Sequence, residues 1–344
     1  MSAGFVAIQW NRHKLAYDAV ALGAVGLYLG SYMLLAPGAG PGVTWDIQRL
    51  RAFGSCAFLM LTVILAIGPL ARLDRRFLPL LYNRRHFGVL TFLVALGHAV
   101  LVLGWYHQGG RISPLLSILV SSAHYFRFIG FPFELLGLAA LAILFVMAAT
   151  SHDFWLSYLS PPVWKAIHMA VYLAYGLLVL HVALGALQED HTLLLPLLLG
   201  GSFLVVAGLH ILAAHREAPI DAGIAAAAGW LVVGPAVSIP EGRARIVVPE
   251  AGERIAVFRH GGRLSAVSNV CAHQNGPLGE GRIIDGCITC PWHGFQFRPE
   301  DGCSPPPYTD TIPTYRLRLV DGVVQVDPNP LPPGTRVEPV SVAG

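Results

Sequence analysis

The stretch that decides the fold of the C-terminal part is Cys-Ala-His at residues 271–273, followed by Cys-Pro-Trp-His-Gly at residues 290–294. Each segment supplies one cysteine and one histidine, which suits a [2Fe-2S] cluster with two thiolates on one iron and two imidazoles on the other. Zinc takes the same residue types, but zinc modules usually pair cysteine with cysteine and histidine with histidine along the chain. The order therefore predicts four ligands of an electron-carrying cluster: Cys271, His273, Cys290 and His293.

Short apolar or alternating segments surround these motifs. They cover residues 230–234, 255–258 and 264–268 and are separated by glycine pairs and turn residues. Such segments are typical of short antiparallel strands. We therefore predict a small all-β domain over residues 228–328, an antiparallel sandwich that presents two ligand loops.

Residues 228–328 resemble Rieske ferredoxins and the Rieske domains of ring-hydroxylating oxygenases. The motifs are Cys-Pro-Trp-His-Gly-Phe-Gln-Phe at 290–297, Pro-Pro-Pro at 305–307 and Ile-Pro-Thr-Tyr at 312–315. Rieske proteins of respiratory cytochrome bc complexes add a disulfide cysteine to each loop and a serine where Phe295 stands here. Fewer hydrogen bonds to the cluster imply a potential at the low end of the Rieske range, roughly −150 mV.

Two cysteines near the second loop stand outside the ligand motifs. Cys287 and Cys303 fit either a local disulfide or two inert thiols. Disulfides are rare in reducing compartments, so we expect free thiols there.

The rest of the chain has the composition of a membrane protein. Hydrophobic residues make up 54% of the chain and charged residues 12%. A bilayer-spanning helix needs about 20 apolar residues, and six stretches approach that length. They lie near 17–36, 52–71, 88–106, 131–150, 165–187 and 192–214. Arg12 and Lys14 precede a full-length span rather than a short signal core, so we expect the first helix to be retained. No internal sequence repeat is evident.

These features predict a multidomain chain, an all-α six-helix transmembrane bundle followed by the β domain. The predicted segments are an N-terminal cytoplasmic segment (1–16), the transmembrane domain (17–214), a linker (215–227), the β domain (228–328) and a Pro-rich tail (329–344). We expect the tail to be disordered, with docking of a partner as the alternative.

Basic residues predict the orientation in the membrane. The loop between the second and third spans contains five arginines, and short loops rich in Lys and Arg stay on the cytoplasmic side. They are Arg72, Arg75, Arg76, Arg84 and Arg85. Six spans then place both termini and the β domain on the cytoplasmic face of a bacterial-type inner membrane. The net charge of +3 lies on the membrane part, so nucleic acid is not an expected partner.

Histidines inside the spans are a second chemical signal. His98 lies in the third span, and His168 and His181 lie in the fifth. The latter two are about 20 Å apart along a helix, which suits two levels of the bilayer. A six-coordinate b-type heme takes one imidazole from each of two facing helices. The alternative is that each histidine only forms an interhelical hydrogen bond.

Residues 50–190 resemble the ferric reductase-like transmembrane domain of ferric reductases and NADPH oxidases. The motifs are Arg-Arg-His-Phe-Gly at 84–88, Leu-Gly-His at 96–98, Trp-Lys-Ala-Ile-His at 164–168 and Leu-His at 180–181. The resemblance implies one or two b-type hemes. In the eukaryotic-type members the third span carries two histidines, and the lower one falls on Arg84 here. His98 and His181 therefore form the better pair, while His168 has no obvious partner except His86.

The motifs that are missing limit the function. We find no Gly-x-Gly-x-x-Gly after a strand, which predicts no NAD(P)H or flavin site and a separate electron-donating reductase. We also find no mononuclear iron domain of the oxygenase type. The expected function is a relay of single electrons between the cluster and transmembrane heme, either as an oxidoreductase or as an electron-transfer subunit.

Transfer toward an acceptor at the outer face is the expected direction, with the reverse direction as the alternative, and the donor and acceptor stay open. A periplasmic protein, a ferric chelate, quinone and an oxygenase are all compatible acceptors, and the lipid bilayer is the expected surroundings. The main alternative is a membrane-anchored Rieske ferredoxin that serves a cytoplasmic oxygenase without heme. A redox sensor is a third possibility, supported only by the fusion itself.

Overall fold

The computed structural model describes residues 12–35, 44–81, 83–106, 112–120, 131–151, 155, 159, 161–189, 193–221, 229–273, 275–291, 294–306 and 308–342. The chain forms two compact units. One spans residues 8–212 and is helical where it is described, and the other contains residues 213–344 and is mostly β structure.

The described helices of the chain, in order, are α1 (Arg12–Leu35), α2 (Trp45–Leu73), α3 (Leu78–Leu81), α4 (Arg84–Tyr106), α5 (Pro114–Val120), α6 (Phe133–Ala149), α7 (Pro161–Met169), α8 (Val171–Leu184), α9 (Ala186–Glu189) and α10 (Leu194–Asp221). A 3₁₀ turn, Arg75–Phe77, precedes α3.

Local sequence signals set the ends of α2. The Thr44 hydroxyl accepts a hydrogen bond from the Ile47 N–H at 3.4 Å, which satisfies one of the free donors at the helix start. Asp46 lies in the first turn, where the helix dipole favours negative charge. At the other end, Asp74 has an extended backbone and stops the helix.

Five helical segments of the described residues are long and apolar enough to cross a membrane, and one of them runs through α7, α8 and α9. These segments are Lys14–Leu35, Trp45–Leu73, Arg84–Trp105, Val163–Gln188 and Leu194–Arg216. A sixth apolar helix, α6, has only 17 residues because it begins after Pro132 and ends at Thr150. The predicted fourth span is therefore shorter than the roughly 20 residues expected.

Apolar side chains cover the outside of the helical unit. On α1, Val20 and Leu27 are each 72% exposed and Leu34 is 82% exposed. Water-soluble monomers rarely expose apolar surface on that scale, whereas lipid solvates it. The protein is a multi-pass membrane protein.

The core of the helical unit lies where α2, α6, α8 and α10 meet. Its buried members are Phe58, Leu61, Leu65, Ala140, Leu144, Ala174, Tyr175, Leu199 and Val206. The rings of Phe58 and Tyr175 stack with centroids 5.5 Å apart, which joins α2 to α8. The Tyr175 hydroxyl lies 3.4 Å from the Thr62 hydroxyl, so the polar end of the ring has a partner.

The predicted linker needs a correction. Helix α10 continues to Asp221, so the first seven residues of the segment 215–227 are helical. Arg216, Glu217 and Ala218 are all favourable helix residues, which explains the continuation. The remaining linker residues, 222–227, lie outside the described part of the chain.

The β domain has eleven described strands in three antiparallel sheets. The strands are β1 (Leu231–Pro235), β2 (Ala244–Val247), β3 (Ile255–His260), β4 (Arg263–Ser268), β5 (Arg282–Ile284), β6 (Cys287–Thr289), β7 (Gln296–Phe297), β8 (Thr314–Tyr315), β9 (Leu317–Val320), β10 (Val323–Val326) and β11 (Val340–Ser341). The sheets have the orders β1-β10-β9, β11-β4-β3-β2 with β8 also on β4, and β5-β6-β7. The predicted all-β domain is confirmed.

The hairpin between β3 and β4 follows from a glycine pair. Gly261 and Gly262 have φ angles of +55° and +68°, the left-handed conformation that a two-residue hairpin turn requires. His260 and Arg263 pair directly across this turn. The turn therefore fixes the register that buries Val257 and Leu264 in one core.

The predicted Pro-rich tail also needs a correction. Strand β11 pairs with β4, and the Leu331 and Val337 N–H groups donate to the carbonyls of Thr314 and Glu300 at 2.9 and 2.8 Å. The segment covers an edge of the central sheet, and an uncovered edge leaves backbone groups without partners. The β domain therefore extends to residue 342 rather than ending at 328.

Candidate functional site

Two loops of the β domain carry the predicted cluster ligands. Cys271 and His273 lie between β4 and β5, and Cys290 follows β6 directly. The two cysteines are 1% and 3% exposed and belong to one apolar core with Phe297. His293 lies outside the described residues, so its role stays a prediction. The described loops therefore hold two thiols in dry surroundings.

The backbone of the first loop closes tightly around Cys271. Its N–H donates to the Gly276 carbonyl at 2.9 Å, and its carbonyl accepts from the Asn275 N–H at 2.7 Å. Asn275 has a φ of +58°, a left-handed conformation that asparagine tolerates better than most residues. These bonds fix the direction in which the Cys271 thiol leaves the chain.

The second loop repeats this backbone arrangement around Cys290. The Cys290 N–H donates to the Phe295 carbonyl at 2.8 Å, and the Cys290 carbonyl accepts from the Gly294 N–H at 3.0 Å. Gly294 has a φ of +70°, and it stands four residues after its cysteine, as Asn275 does in the first loop. Both cysteines are therefore presented by the same local geometry.

An aromatic stack joins the two loops. The Phe295 ring lies parallel to the His273 imidazole, with centroids 5.0 Å apart and planes 3° apart. Phe295 also contacts Phe297 and Tyr308, at 5.3 and 4.9 Å between centroids. Nδ1 of His273 is buried. Phe295 therefore shields one face of this imidazole from water.

In the membrane unit, two of the predicted histidines lie together. His98 on α4 and His181 on α8 have ring centroids 6.5 Å apart, with planes at 82°. Nδ1 of His98 lies 2.9 Å from the Leu50 carbonyl, and Nδ1 of His181 lies 2.8 Å from the Phe133 carbonyl. A carbonyl can only accept, so each Nδ1 carries the proton and each Nε2 keeps a lone pair.

Comparison with known proteins assigns a family to each part. The family described as the ferric reductase like transmembrane component matches residues 52–179, and the family described as the Rieske [2Fe-2S] domain matches residues 229–316. The anthranilate 1,2-dioxygenase ferredoxin subunit of Burkholderia cepacia is 40% identical over 81 residues, which are 22% of this chain and 73% of that protein. The chain belongs to the Rieske [2Fe-2S] family. It combines a Rieske domain with a ferric reductase-like transmembrane domain, as the sequence predicted.

Two further similarities each cover less than a third of this chain. Cholesterol 7-desaturase of Xenopus laevis is 40% identical over 67 residues, which are 19% of this chain and only 15% of that protein. Among solved structures, the Sphingomonas yanoikuyae B1 ferredoxin is 29% identical and aligns with 29% of this chain and 98% of its own, with a TM-score of 0.27. The family match assigns a [2Fe-2S] cluster and a role in electron transfer to this domain.

The described residues of the Rieske domain fit such a cluster. No three His, Cys, Asp or Glu side chains of the described residues converge on one point that could hold a single metal ion. A Rieske cluster needs no such group, because each of its two irons takes only two protein ligands. Two buried thiols and a shielded imidazole fit a cluster in which cysteines bind one iron and histidines bind the other. Cys287 and Cys303 are free thiols, so the local disulfide is not formed.

The His98–His181 pair fits a shared metal centre. An imidazole nitrogen bonds a metal such as zinc at about 2.0–2.1 Å, so two opposed imidazoles on one metal place their ring centres about 6 Å apart. The observed 6.5 Å is close to that separation. The pair therefore has the spacing and the tautomers that axial ligation requires.

His168 has different surroundings from this pair. Its Nδ1 lies 2.9 Å from the Trp164 carbonyl, and its Nε2 lies 3.4 Å from the Ser151 hydroxyl. The Trp164 ring stacks on it at 3.8 Å, and Arg85 donates to the Ser151 carbonyl at 2.9 Å. His168 as a heme ligand stays a prediction.

The alternative partner for His168 was His86, which has an acidic partner instead. Nδ1 of His86 lies 2.8 Å from a carboxylate oxygen of Asp18 on α1. Asn83 donates to the other oxygen of the same carboxylate at 2.6 Å. This network joins α1 to the start of α4.

Sequence reasoning missed the residues that hold the histidine pair. The carbonyls of Leu50 and Phe133 orient the imidazoles, and Gly54 and Gly137 lie against the two rings. A backbone carbonyl leaves no signal in residue identity. The glycines did leave one, because small residues in apolar spans often mark close helix contacts.

Proposed function

We propose that this protein relays single electrons between the Rieske [2Fe-2S] cluster and one b-type heme held by His98 and His181. The observation that carries the proposal is the histidine pair on α4 and α8, with 6.5 Å between ring centres. The match to the ferric reductase like transmembrane component supports it. When bound, the cluster and the heme each supply a centre that gains and loses one electron reversibly.

The chain prepares the membrane centre in three ways. Hydrogen bonds to Leu50 and Phe133 hold both imidazoles as the tautomer whose Nε2 can bind iron. The histidines come from different helices, α4 and α8, so a planar group between them is gripped from both sides. The surrounding apolar core of α2, α6, α8 and α10 keeps water away from this level of the membrane.

The Rieske domain prepares the second centre. Cys271 and Cys290 supply thiolates from a dry core, and His273 and His293 supply the imidazoles of the other iron. Because imidazole carries no negative charge, this side is the natural place for an electron to enter or leave. Phe295 covers one face of His273 and so limits the approach of water.

One heme rather than two is the form that we propose. The His98 and His181 rings lie 6.5 Å apart between centroids, whereas His168 contacts Trp164 and Ser151. Arg85 contacts the backbone of the same serine, so a cationic side chain occupies the region beside His168. A second heme there would require Nε2 of His168 to leave the Ser151 hydroxyl.

We propose a separate reductase as donor and the cytoplasmic face of an inner membrane as the place of the Rieske domain. The relative from Burkholderia cepacia is itself called a ferredoxin subunit, a protein that works with other components. Five arginines between the end of α2 and the start of α4 support the orientation. The acceptor is a periplasmic protein, a ferric chelate, quinone or an oxygenase.

A second candidate function is a membrane-anchored ferredoxin without heme. The similarity to the ferredoxin subunit of a dioxygenase favours it, because such a domain gives electrons to an oxygenase partner. In this case the helices only tether the Rieske domain. Heme absorption in the purified protein separates the two functions.

Replacement of the paired histidines tests the relay. We expect His98→Ala and His181→Ala each to reduce bound heme, measured as the pyridine hemochrome of purified protein, to background because one axial ligand is lost. His210→Ala is the matched control, since His210 is a membrane histidine whose Nε2 bonds the Tyr172 hydroxyl at 2.9 Å. It should keep about one heme per chain.

His168→Ala tests the heme number in the same assay. We expect it to keep the wild-type heme content. A wild type with two hemes per chain, one of which disappears in His168→Ala, would contradict the single-heme proposal. Full heme content in His98→Ala would contradict the ligand assignment.

A further inference from the structure

Two pairs of helices hold the two membrane histidines in the same way. In the first pair, the Leu50 carbonyl on α2 accepts from His98 on α4. In the second, the Phe133 carbonyl on α6 accepts from His181 on α8. Carbonyl and histidine are 48 residues apart in both pairs. The chain therefore builds one arrangement twice, although no repeat is evident in its sequence.

A glycine completes each arrangement. Gly54 stands four residues after Leu50, and Gly137 stands four residues after Phe133. Residues four apart in a helix lie on the same face, one turn apart. The Nδ1–Cε1 edge of each imidazole therefore lies against one helical turn, beside both the carbonyl oxygen and the glycine.

Neither glycine leaves room for a side chain. A Cβ atom at Gly54 would lie 2.9 Å from Cε1 of His98, and a Cβ atom at Gly137 would lie 2.9 Å from Cε1 of His181. Favourable contacts between carbon atoms need about 3.5–4.0 Å. Any larger residue would force the ring to move.

The two contacts together restrict rotation of each ring about its Cβ–Cγ bond. The hydrogen bond requires Nδ1–H to point at the carbonyl, and the glycine surface supports the ring beside it. With both rings restricted in this way, their planes stand at 82° to each other. The angle is therefore set by the neighbouring helices rather than by the ligands alone.

We propose that Gly54 and Gly137 are positioning residues that hold the His98 and His181 imidazole planes perpendicular on the heme. The inference rests on the proposed function, because it assumes that these histidines bind one heme. It goes further because it assigns the angle between the two imidazole planes to two glycines and two backbone carbonyls.

Perpendicular ligand planes have a measurable consequence. Each imidazole plane interacts preferentially with one of two iron d orbitals, so perpendicular planes affect the two orbitals almost equally. The unpaired electron of low-spin ferric iron then keeps orbital angular momentum. Its electron paramagnetic resonance signal becomes strongly anisotropic, with one dominant low-field feature. Parallel planes give a rhombic signal with three well-spread features.

The wild-type protein provides the first test. We expect oxidised, detergent-purified full-length protein to give the strongly anisotropic low-spin heme signal. A rhombic signal in protein that binds heme would overturn the inference while leaving the proposed function intact. Absence of heme absorption would instead overturn the proposed function.

Glycine variants provide the second test. We expect Gly54→Ala and Gly137→Ala to retain heme but to shift the low-field feature toward a rhombic signal, because the displaced ring turns its plane. Gly104→Ala on α4 and Gly176→Ala on α8 are matched controls, since both glycines have open space where a Cβ would stand. These controls should give the wild-type signal.

The outcomes separate a positioning role from a merely structural one. A shifted signal with unchanged heme content, confined to Gly54→Ala and Gly137→Ala, supports the inference. Wild-type signals in both variants overturn it. If either variant fails to accumulate or loses heme, the test rests on the wild-type protein. Its signal reports the angle between the two imidazole planes without any substitution, and a rhombic signal overturns the inference.

Discussion

At the scale of single residues, the contact of Phe295 with the His273 imidazole determines how much water reaches one of the predicted cluster ligands. Solvent exposure is one of the properties that set the potential of an iron–sulfur cluster. Phe295 stands where some Rieske proteins have a serine that hydrogen-bonds the cluster, so it shields the site without adding a hydrogen bond. It should therefore keep the potential low.

Replacing Phe295 with alanine tests this shielding. Water would reach the uncovered face of His273 and stabilise the more negative, reduced cluster, so we expect the potential to rise by roughly tens of millivolts. A redox titration followed by the cluster's resonance signal measures it. Tyr308→Phe is the control, because it keeps the ring that contacts Phe295. An unchanged potential in Phe295→Ala would contradict the shielding role.

A carboxylate near the second loop links the stability of the Rieske domain to pH. Asp301 accepts from Arg298 at 2.7 Å and from the Cys303 N–H at 2.9 Å. Burial pushes the pKa of Asp301 upward, but these bonds to the carboxylate outweigh burial and lower its pKa. A lowered folded-state pKa stabilises the domain above the unfolded pKa of about 4, and the stabilisation is lost as pH falls through the folded value.

Asp301→Asn tests this linkage. At pH 7 we expect about 1 kcal/mol less stability, since the Arg298 side chain is 42% exposed and water weakens the pair. The difference from wild type should shrink in acid below about pH 4. Thermal loss of the cluster's visible absorbance measures both. The control is Asp310→Asn, at an exposed position. A difference that persists unchanged into strong acid would contradict the account.

At the scale of elements, the C-terminal segment is an integral part of the Rieske domain. The Leu331 N–H donates to the Thr314 carbonyl at 2.9 Å, and the Val337 N–H donates to the Glu300 carbonyl at 2.8 Å. The Val342 N–H donates to the Gly262 carbonyl at 2.9 Å. Each such bond contributes about 0.5–1.5 kcal/mol. The segment also occupies the edge of β4, which would otherwise be open to pairing with another chain.

Truncation after residue 328 tests this assignment. We expect the shortened protein to lose its cluster absorbance at a lower temperature, with roughly 3 kcal/mol less stability from the lost backbone bonds. The control ends at residue 342 and keeps every one of these bonds. Equal thermal midpoints for the two shortened proteins would show that the segment is a dispensable tail.

The sequence predicted the elements better than their ends. Hydropathy predicted the apolar helices, and ligand order with strand periodicity predicted the β domain. Helix α10 continues past the predicted span into the predicted linker, because that segment begins with good helix formers. The prediction of a disordered tail was wrong. The tail is held by hydrogen bonds from isolated N–H groups, and a Pro-rich segment of this kind shows no strand periodicity in its sequence.

In the candidate site, side-chain types could be predicted from the sequence, but backbone contacts could not. Side-chain chemistry predicted that histidines in the spans would have partners, and the resemblance to the ferric reductase-like domain favoured the pair His98 and His181, whose ring centroids lie 6.5 Å apart. The carbonyls of Leu50 and Phe133 could not be predicted, because every residue has a carbonyl. The glycines at 54 and 137 could have been noticed, but only the structure shows which ring each one contacts.

At the scale of the whole molecule, one chain joins a ferric reductase-like transmembrane domain to a Rieske domain. If the membrane domain holds a heme as proposed, covalent linkage gives one cluster for each heme and keeps the two at a high effective concentration. Free ferredoxins must instead find their partner by diffusion. The fusion is therefore suited to moving electrons between a soluble donor or acceptor and the membrane.

The most direct test of this account is stepwise reduction of the detergent-purified full-length protein, followed by visible absorption and electron paramagnetic resonance in the same samples. We expect a heme Soret band that shifts on reduction together with a Rieske signal, at about one heme for each cluster. A Rieske signal in protein without any heme absorption would contradict the relay and leave a membrane-anchored ferredoxin.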